Sequence, residues 1–458
     1  MATSSSDLTS TLGKYMDRHL FLPLLDFLKT KGTYPPAEME RAKLEVLFKT
    51  NMVDLAMDIY KELHSSSTVP ETMNARRAEV VGLMTELQEE VQPILELVQD
   101  QGKVLELRNE KLFNAAYLQQ QFQITPGHID ALHRYAKFVY DTGNYDQAVS
   151  LLGHYRALTT NLDKGFSAMW GQLASAILTN NFDGALELLN ALKEQIDNRP
   201  STPQVAQLQQ RSWLMHWALF LLGNHPSGKT IVADLFFQDK YLNALQTNCA
   251  HLLRYLAVAV VTNPRRRGLL KELVRTIGLE RHQHSDAVTL FLEDLYVRCD
   301  FEAAQARLAD CAKLLDSDFF LSNQEEEFLK HARCAHPPPA PTARARALPP
   351  PPRPLTAPRP PPPLRLHIFE TYCRIHERID LASLGQKLGM EQIAAEKWIV
   401  KMVSDAQLDA KIDSQSGHVI LGSEPPDVYQ QIIEKTKGLA LRSAILASHI
   451  QKGAIPSA

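Results

Sequence analysis

At Leu408 the apolar pattern of the chain switches from a helical period to a period of two. Upstream, residues 367–379 (HIFETYCRIHERI) and 381–388 read as two helices. Residues 390–407 form a third, with Met390, Ala394, Trp398 and Met402 four apart and Ile399 and Val403 beside them. Then Leu408, Ala410 and Ile412 alternate with Asp409, Lys411 and Asp413, and a polar turn ending in Gly417 leads to a second strand, 418–421, which holds Val419 and Leu421. Three helices followed by a two-stranded wing predict a winged helix over 364–423. Its strand edges offer backbone groups that can extend a sheet into a neighbour, so Leu408, Ala410, Ile412, Val419 and Leu421 are candidate partner-binding residues.

Beyond Pro425 and Pro426 the chain turns helical again over 424–458. Tyr429, Thr436, Ser443 and Ile450 recur every seven residues, and so do Ile432, Leu439 and Leu446. This a/d row carries polar Thr and Ser, so it predicts a helix that packs into a bundle with other chains rather than a stable coil alone. Ile432, Leu439 and Leu446 join the candidate contact residues; packing onto its own chain is the alternative.

The first two-thirds of the chain repeat a degenerate signature. Tyr145-Asp-Gln-Ala148 with Leu152 aligns with Phe182-Asp-Gly-Ala185 and Leu189, and the spacing recurs at Val53 to Ala56 and at Phe301 to Ala304. A bulky residue, an acid, a spacer and an alanine at a helix start let neighbouring helices approach at the alanine. A period near 37, read from 145 to 182, fits a helix-pair solenoid of the tetratricopeptide kind. Residues 17–28 present Leu20, Leu24, Leu25 and Leu28 on one face, with a kink expected at Pro23, and the charged stretch 76–110 reads as a solvated helix pair. The fold expected is therefore an all-α helical-repeat solenoid followed by a winged helix and a terminal bundle helix. The segments are 1–210, 211–333, a proline-rich insertion 334–363, 364–423 and 424–458.

The insertion holds fourteen of the 27 prolines, four arginines and no acid between Pro337 and Pro363. Such a composition cannot bury a core. It reads as a linker, a docking segment for SH3- or WW-type domains, or translated intron sequence.

Composition excludes more than it assigns. A net charge of −3 gives no global pull toward nucleic acid. Five scattered cysteines without a CxxC pair argue against a zinc cluster or a disulfide framework. No signal-peptide layout opens the chain, and the apolar runs 213–222 and 255–261 fall short of the roughly 20 residues of a membrane span. A soluble cytoplasmic protein, with some nuclear presence, is expected.

Residues 223–230 (GNHPSGKT) match the phosphate-binding P-loop pattern letter for letter. The run before them, WLMHWALFLL, has no β-branched residue and reads as a buried helix, whereas a working P-loop follows a strand. Pro226 also removes a backbone donor. His282-Gln-His284 lacks the downstream Ser of a metalloprotease motif, Leu292 standing in its place, and reads as an exposed loop. The third helix of the winged domain sets Lys397 and Lys401 against Glu391, Glu396 and Asp405, a poor phosphate binder. No catalytic residue, cofactor or metal is expected.

The stretches FETYCRIHERI, WIVKMVSDAQLDAKIDSQSGHVILG and YQQIIEKTKGLALRSAILA resemble the PCI family, whose members build the proteasome lid, the COP9 signalosome and translation initiation factor three. DRHLFLPLLDFL, TNMVDLAMDIYKEL, YAKFVYDTGNYDQAV and LNALQTNCAHLLRYLAVAVVTN extend the likeness over most of the chain, closest to the initiation-factor members. The resemblance implies a non-catalytic scaffold that lines up with sibling subunits through winged helices and a shared helical bundle. It also implies contact with the small ribosomal subunit, indirect or through weak rRNA binding, and with other initiation factors. A scaffold of the lid or signalosome is the alternative.

Overall fold

In this computed structural model the described residues are 7–64, 68–110, 112–199, 203–263, 268–298 and 300–332, together with three strands and single positions between 400 and 447. The chain forms two compact units, Met1–Lys330 and His331–Ala458.

The first unit is built of helices packed in sequence. It opens with α1 (Thr9–Leu12), α2 (Arg18–Lys31), α3 (Pro36–Leu47) and α4 (Val53–His64). Asp17 caps α2 by accepting from the His19 amide, and Gly32 closes it in the left-handed region at φ +67. Pro23 lies inside α2 without ending it. Leu22, Leu44, Leu47, Ala56, Ile59 and Met73 form the core between these helices and the next.

That next helix, α5 (Glu71–Gln99), is 29 residues long, which at 1.5 Å per residue spans about 43 Å. Only one stripe of it is covered, and Val80 meets Val53 and Phe138 there. With α6 (Gln101–Asn109) it forms the solvated pair expected over 76–110. Then follow α7 (Ala115–Phe122), α8 (Pro126–Asp141), α9 (Tyr145–Leu158), α10 (Leu162–Leu178), α11 (Phe182–Asn198) and α12 (Gln204–Asn224). Each of α9 to α12 packs on the one before it, as repeat proteins require.

The degenerate signature marks helix starts at every occurrence. Tyr145 opens α9, Phe182 opens α11, and Val53 opens α4. Its alanines, Ala56, Ala148 and Ala185, are buried. The residue before the signature adds something not anticipated from the pattern: Asn144 and Asn181 cap their helices by accepting from the Gln147 and Gly184 amides. Gly143 at φ +92 and Asn180 at φ +58 make the left-handed turn just before each cap. Ala185→Leu should therefore force α11 away from its neighbours and destabilise the chain by about 1–3 kcal/mol, read as a lower urea midpoint.

Helix α12 runs unbroken through the segment boundary expected at 210/211. After it come α13 (Gly228–Phe236), α14 (Asp239–Asn248), α15 (Leu253–Thr262), α16 (Leu270–Glu280), α17 (Ala287–Tyr296), α18 (Phe301–Ser317) and α19 (Glu325–Ala332). Phe301 opens α18, the fourth instance of the signature, and Asp300 caps it by accepting from the Ala303 amide. Every residue of α15 is buried, so it is the axis of this part of the unit.

The second unit corrects one expectation. The wing was expected to have two strands, but among the described residues the sheet has three: β1 (Arg378–Asp380), β2 (Ala410–Asp413) and β3 (His418–Leu421), in the order β1-β3-β2. Both neighbours run antiparallel to β3, with Ile379 opposite Val419 and Ile412 opposite Val419 on the other side. Of the first predicted helix, 367–379, the last two residues lie in strand β1 and 367–377 fall outside the described residues. The predicted helices over 381–388 and 390–407 fall outside the described residues, apart from helical Val400.

Candidate interaction surfaces

The inner polar groups of the first unit serve to join its helices. Arg254, 2% exposed, donates from Nε to Asp286 Oδ2 at 2.7 Å and from Nη1 to Asp318 Oδ2 at 3.1 Å. Asp318 also accepts from the Tyr255 hydroxyl at 2.9 Å and from the Phe320 amide at 3.0 Å. Asp286 caps α17 through the Thr289 amide and meets His284 Nε2 at 3.2 Å. Burial disfavours the Asp286 carboxylate, yet the His284 and Arg254 contacts outweigh it and hold its pKa below the ordinary range. One guanidinium therefore ties α15 to the start of α17 and to the turn after α18.

The amino-terminal helices are anchored at two further places. Tyr140 donates to Asp17 at 2.6 Å, and His19 Nδ1 lies 3.0 Å from the Tyr145 hydroxyl, so α2 is fixed to the α8–α9 corner. On the other side Lys31 pairs with Asp316, Phe27 meets Phe319 edge-on, and Trp217 Nε1 donates to the Tyr15 carbonyl at 3.0 Å.

The P-loop look-alike is a helix–turn–helix. Gly223 and Asn224 end α12, and Gly228 opens α13. A Cβ on Gly228 would lie 1.9 Å from the Leu221 carbonyl oxygen, so glycine is needed there for close packing. Lys229 pairs with Glu327, and Thr230 accepts from Asn263 at 2.9 Å. These side chains are committed to the protein itself. The reading of 282–284 as an exposed loop holds for His282 and not for His284, which is partly buried against Asp286. Among the described residues no cluster of three His, Cys, Asp or Glu has metal-binding geometry, and no helix is long and apolar enough to cross a membrane.

In the second unit the candidate residues separate. Ala410 and Ile412 lie on β2, which has β3 on one side only among the described residues. Val419 and Leu421 lie on β3, whose two edges are both taken. The expectation that β3 offers a free edge is thereby corrected: a third strand, invisible as an alternating run, already occupies it. Leu408 and Leu446 lie outside the described residues. Ile432 and Leu439 are helical and 55% and 62% exposed, and Ile433 beside them is 51% exposed. Thr436 returns its hydroxyl to the Ile432 carbonyl at 2.7 Å, a turn earlier on the same helix. Lys437 and Arg442 are exposed on this helix as well.

Known proteins are similar in sequence along most of the chain. Residues 7–139 match the family model of the eIF3 subunit 6 N terminal domain, and 363–423 match the PCI domain. Residues 428–447 match the C-terminal model of the E subunit of eukaryotic translation initiation factor 3. The E subunit of Arabidopsis thaliana is 40% identical over 97% of this chain and 96% of its own length. That of Bombyx mori is 41% identical over 99% and 96%, and that of Aspergillus terreus 39% over 96% and 93%. With a helical solenoid, a C-terminal winged-helix sheet and this end-to-end identity, the chain belongs to the E subunit family of eukaryotic translation initiation factor 3.

Proposed function

We propose that the chain is a non-catalytic scaffold of the multi-subunit initiation factor 3 complex, working in the cytoplasm with some nuclear presence. The observation that carries this reading is the apolar face of the terminal helix. Ile432, Ile433 and Leu439 are exposed within the stretch that matches the family's C-terminal model. Large apolar residues left open at helical spacing are the mark of a helix that packs against partner helices. Ala410 and Ile412 on β2 supply a second contact, by strand addition to a neighbouring winged helix. Leu408 and Leu446 complete the proposed contact set. Through the assembled factor the chain supports binding of the small ribosomal subunit and recruitment of mRNA, alongside other initiation factors.

A native pull-down resolved on a density gradient, with partners identified by mass spectrometry, tests this. Co-migration with other initiation-factor subunits and the small ribosomal subunit is expected. Migration with the proteasome lid or signalosome, or as a lone monomer, overturns it. The competing enzyme reading rests on the GKT motif alone. Titration with ATP should give no saturable binding with or without Lys229→Ala, and that substitution should change stability by at most about 1 kcal/mol, as a part-exposed ion pair allows.

A further inference from the structure

The turn between α1 and α2 is held by a pair of imidazoles that the scaffold role does not use. Tyr15 in that turn stacks on His216 of α12, with ring centroids 4.1 Å apart and planes 11° from parallel. Its hydroxyl donates to the Asn248 carbonyl at the end of α14, at 3.3 Å. His216 is buried, with Nδ1 2.6 Å from the Ser212 carbonyl and Nε2 2.8 Å from Nε2 of His251, itself buried in the short 3-10 turn before α15.

These distances fix the protons. A carbonyl only accepts, so His216 Nδ1 carries a hydrogen and its Nε2 must accept. The hydrogen between the rings therefore belongs to His251 Nε2. A first proton on the pair leaves one N–H···N bond between the rings, with His251 carrying a hydrogen on Nδ1, and a second sets two N–H groups head to head across 2.8 Å. A proton added to His251 would have to go on Nδ1 and would place a buried cation near other positive groups. The titratable and charged groups around the pair are Lys14 and Tyr15 from the turn, Cys249 beside His251, Arg254 on α15 and His284 before α17. Of the acids nearby, Asp286 is already engaged by Arg254 and His284. Burial, with these neighbours, pushes His216 down to about 4 and His251 down to about 3.

We propose that the His216–His251 pair is an acid-released catch: a first proton leaves a cation buried beside Arg254 and Lys14, a second sets N–H against N–H, and as the rings part the Tyr15 turn comes away from α12 and α14, its bond from Trp217 included. Release is local, because α2 itself stays tied to the α8–α9 corner through Asp17–Tyr140 and His19–Tyr145.

The direction follows from linkage. Both imidazoles are neutral in the closed form and protonate freely once open, near the ordinary histidine value of about 6.5. The catch is therefore at full strength above that value and weakens as pH falls toward the depressed values of the closed form. From about pH 7.5 to 5.5 each histidine multiplies the open-to-closed ratio about tenfold, roughly a hundredfold for the pair.

Amide hydrogen exchange of the full-length protein, corrected for the intrinsic pH dependence of exchange, reads this directly. Peptides covering 8–17 and 248–252 should lose protection by roughly a hundredfold over that range while those covering 20–28 keep theirs. The double variant His216→Gln/His251→Gln keeps a donor–acceptor pair without a titrating group, and its 8–17 peptides should change by less than about threefold. Equal losses in both proteins, or none in the natural chain, overturn the proposal. If the variant does not fold, imidazole C2 hydrogen exchange on the natural chain decides. Midpoints for both histidines well below about 6.5 support the catch, and midpoints at that value overturn it.

Discussion

Arg254→Met should lower the stability of the first unit by about 3–5 kcal/mol, the largest effect expected of any single substitution in it. The reason is what the change leaves behind. Asp286 and Asp318 are nearly inaccessible to water, and their shared cation supplies a hydrogen bond to each. Methionine fills the volume of the stem and returns neither charge nor donor, so two carboxylates remain buried close together. Each then has to take up a proton or draw in water, and α15, which is buried along its whole length, has no room to rotate away. Urea unfolding of the full-length chain measures the loss as a shift in midpoint at unchanged slope. Adding Asp286→Asn and Asp318→Asn to Arg254→Met should recover much of it, because asparagine still caps α17 and carries no charge. A loss under about 1 kcal/mol for Arg254→Met would show that the carboxylates reach other partners.

The second large effect concerns assembly. Ile432→Asp with Leu439→Asp should abolish association with partner subunits while leaving the chain folded. Both residues are more than half exposed, so the free protein has little packing to lose. In a bundle each would be buried, and each contributes about 1.5–3 kcal/mol. Losing both weakens binding by roughly a hundredfold to ten-thousandfold before the cost of burying two carboxylates is added. Pull-down of the variant against that of the natural chain, with circular dichroism to verify folding, checks it. Undiminished recovery of partner subunits would exclude this helix face from the interface.

How far the sequence predicts this structure depends on how far apart the interacting residues lie. The signature at Val53, Tyr145, Phe182 and Phe301 was legible because a helix start is a local event, decided within one turn. The helix at 213–222 was legible for the same reason: its residue types exclude a strand and settle the P-loop look-alike. The heptad of Ile432 and Leu439 likewise needs no neighbour to be seen. By contrast, Arg254, Asp286 and Asp318 come from three elements, 32 and 64 residues from the arginine, and none stands in a motif. His216 and His251 are 35 apart and look like two of sixteen scattered histidines. Strand β1 is only three residues long, Arg-Ile-Asp, and too short to show alternation. It is a strand because β3 lies beside it, which no local pattern encodes.

The order β1-β3-β2 also bears on how the protein is made. The two outer strands come first in the chain, and both pair with the strand synthesised last. The helices of the first unit pack largely on their predecessors and can settle as they leave the ribosome, whereas the sheet must wait for residues 418–421. A reading frame that stops between 413 and 418 would encode two of the three strands and complete no part of the sheet. Premature termination in this short interval would thus release a chain whose first unit is whole and whose sheet never forms.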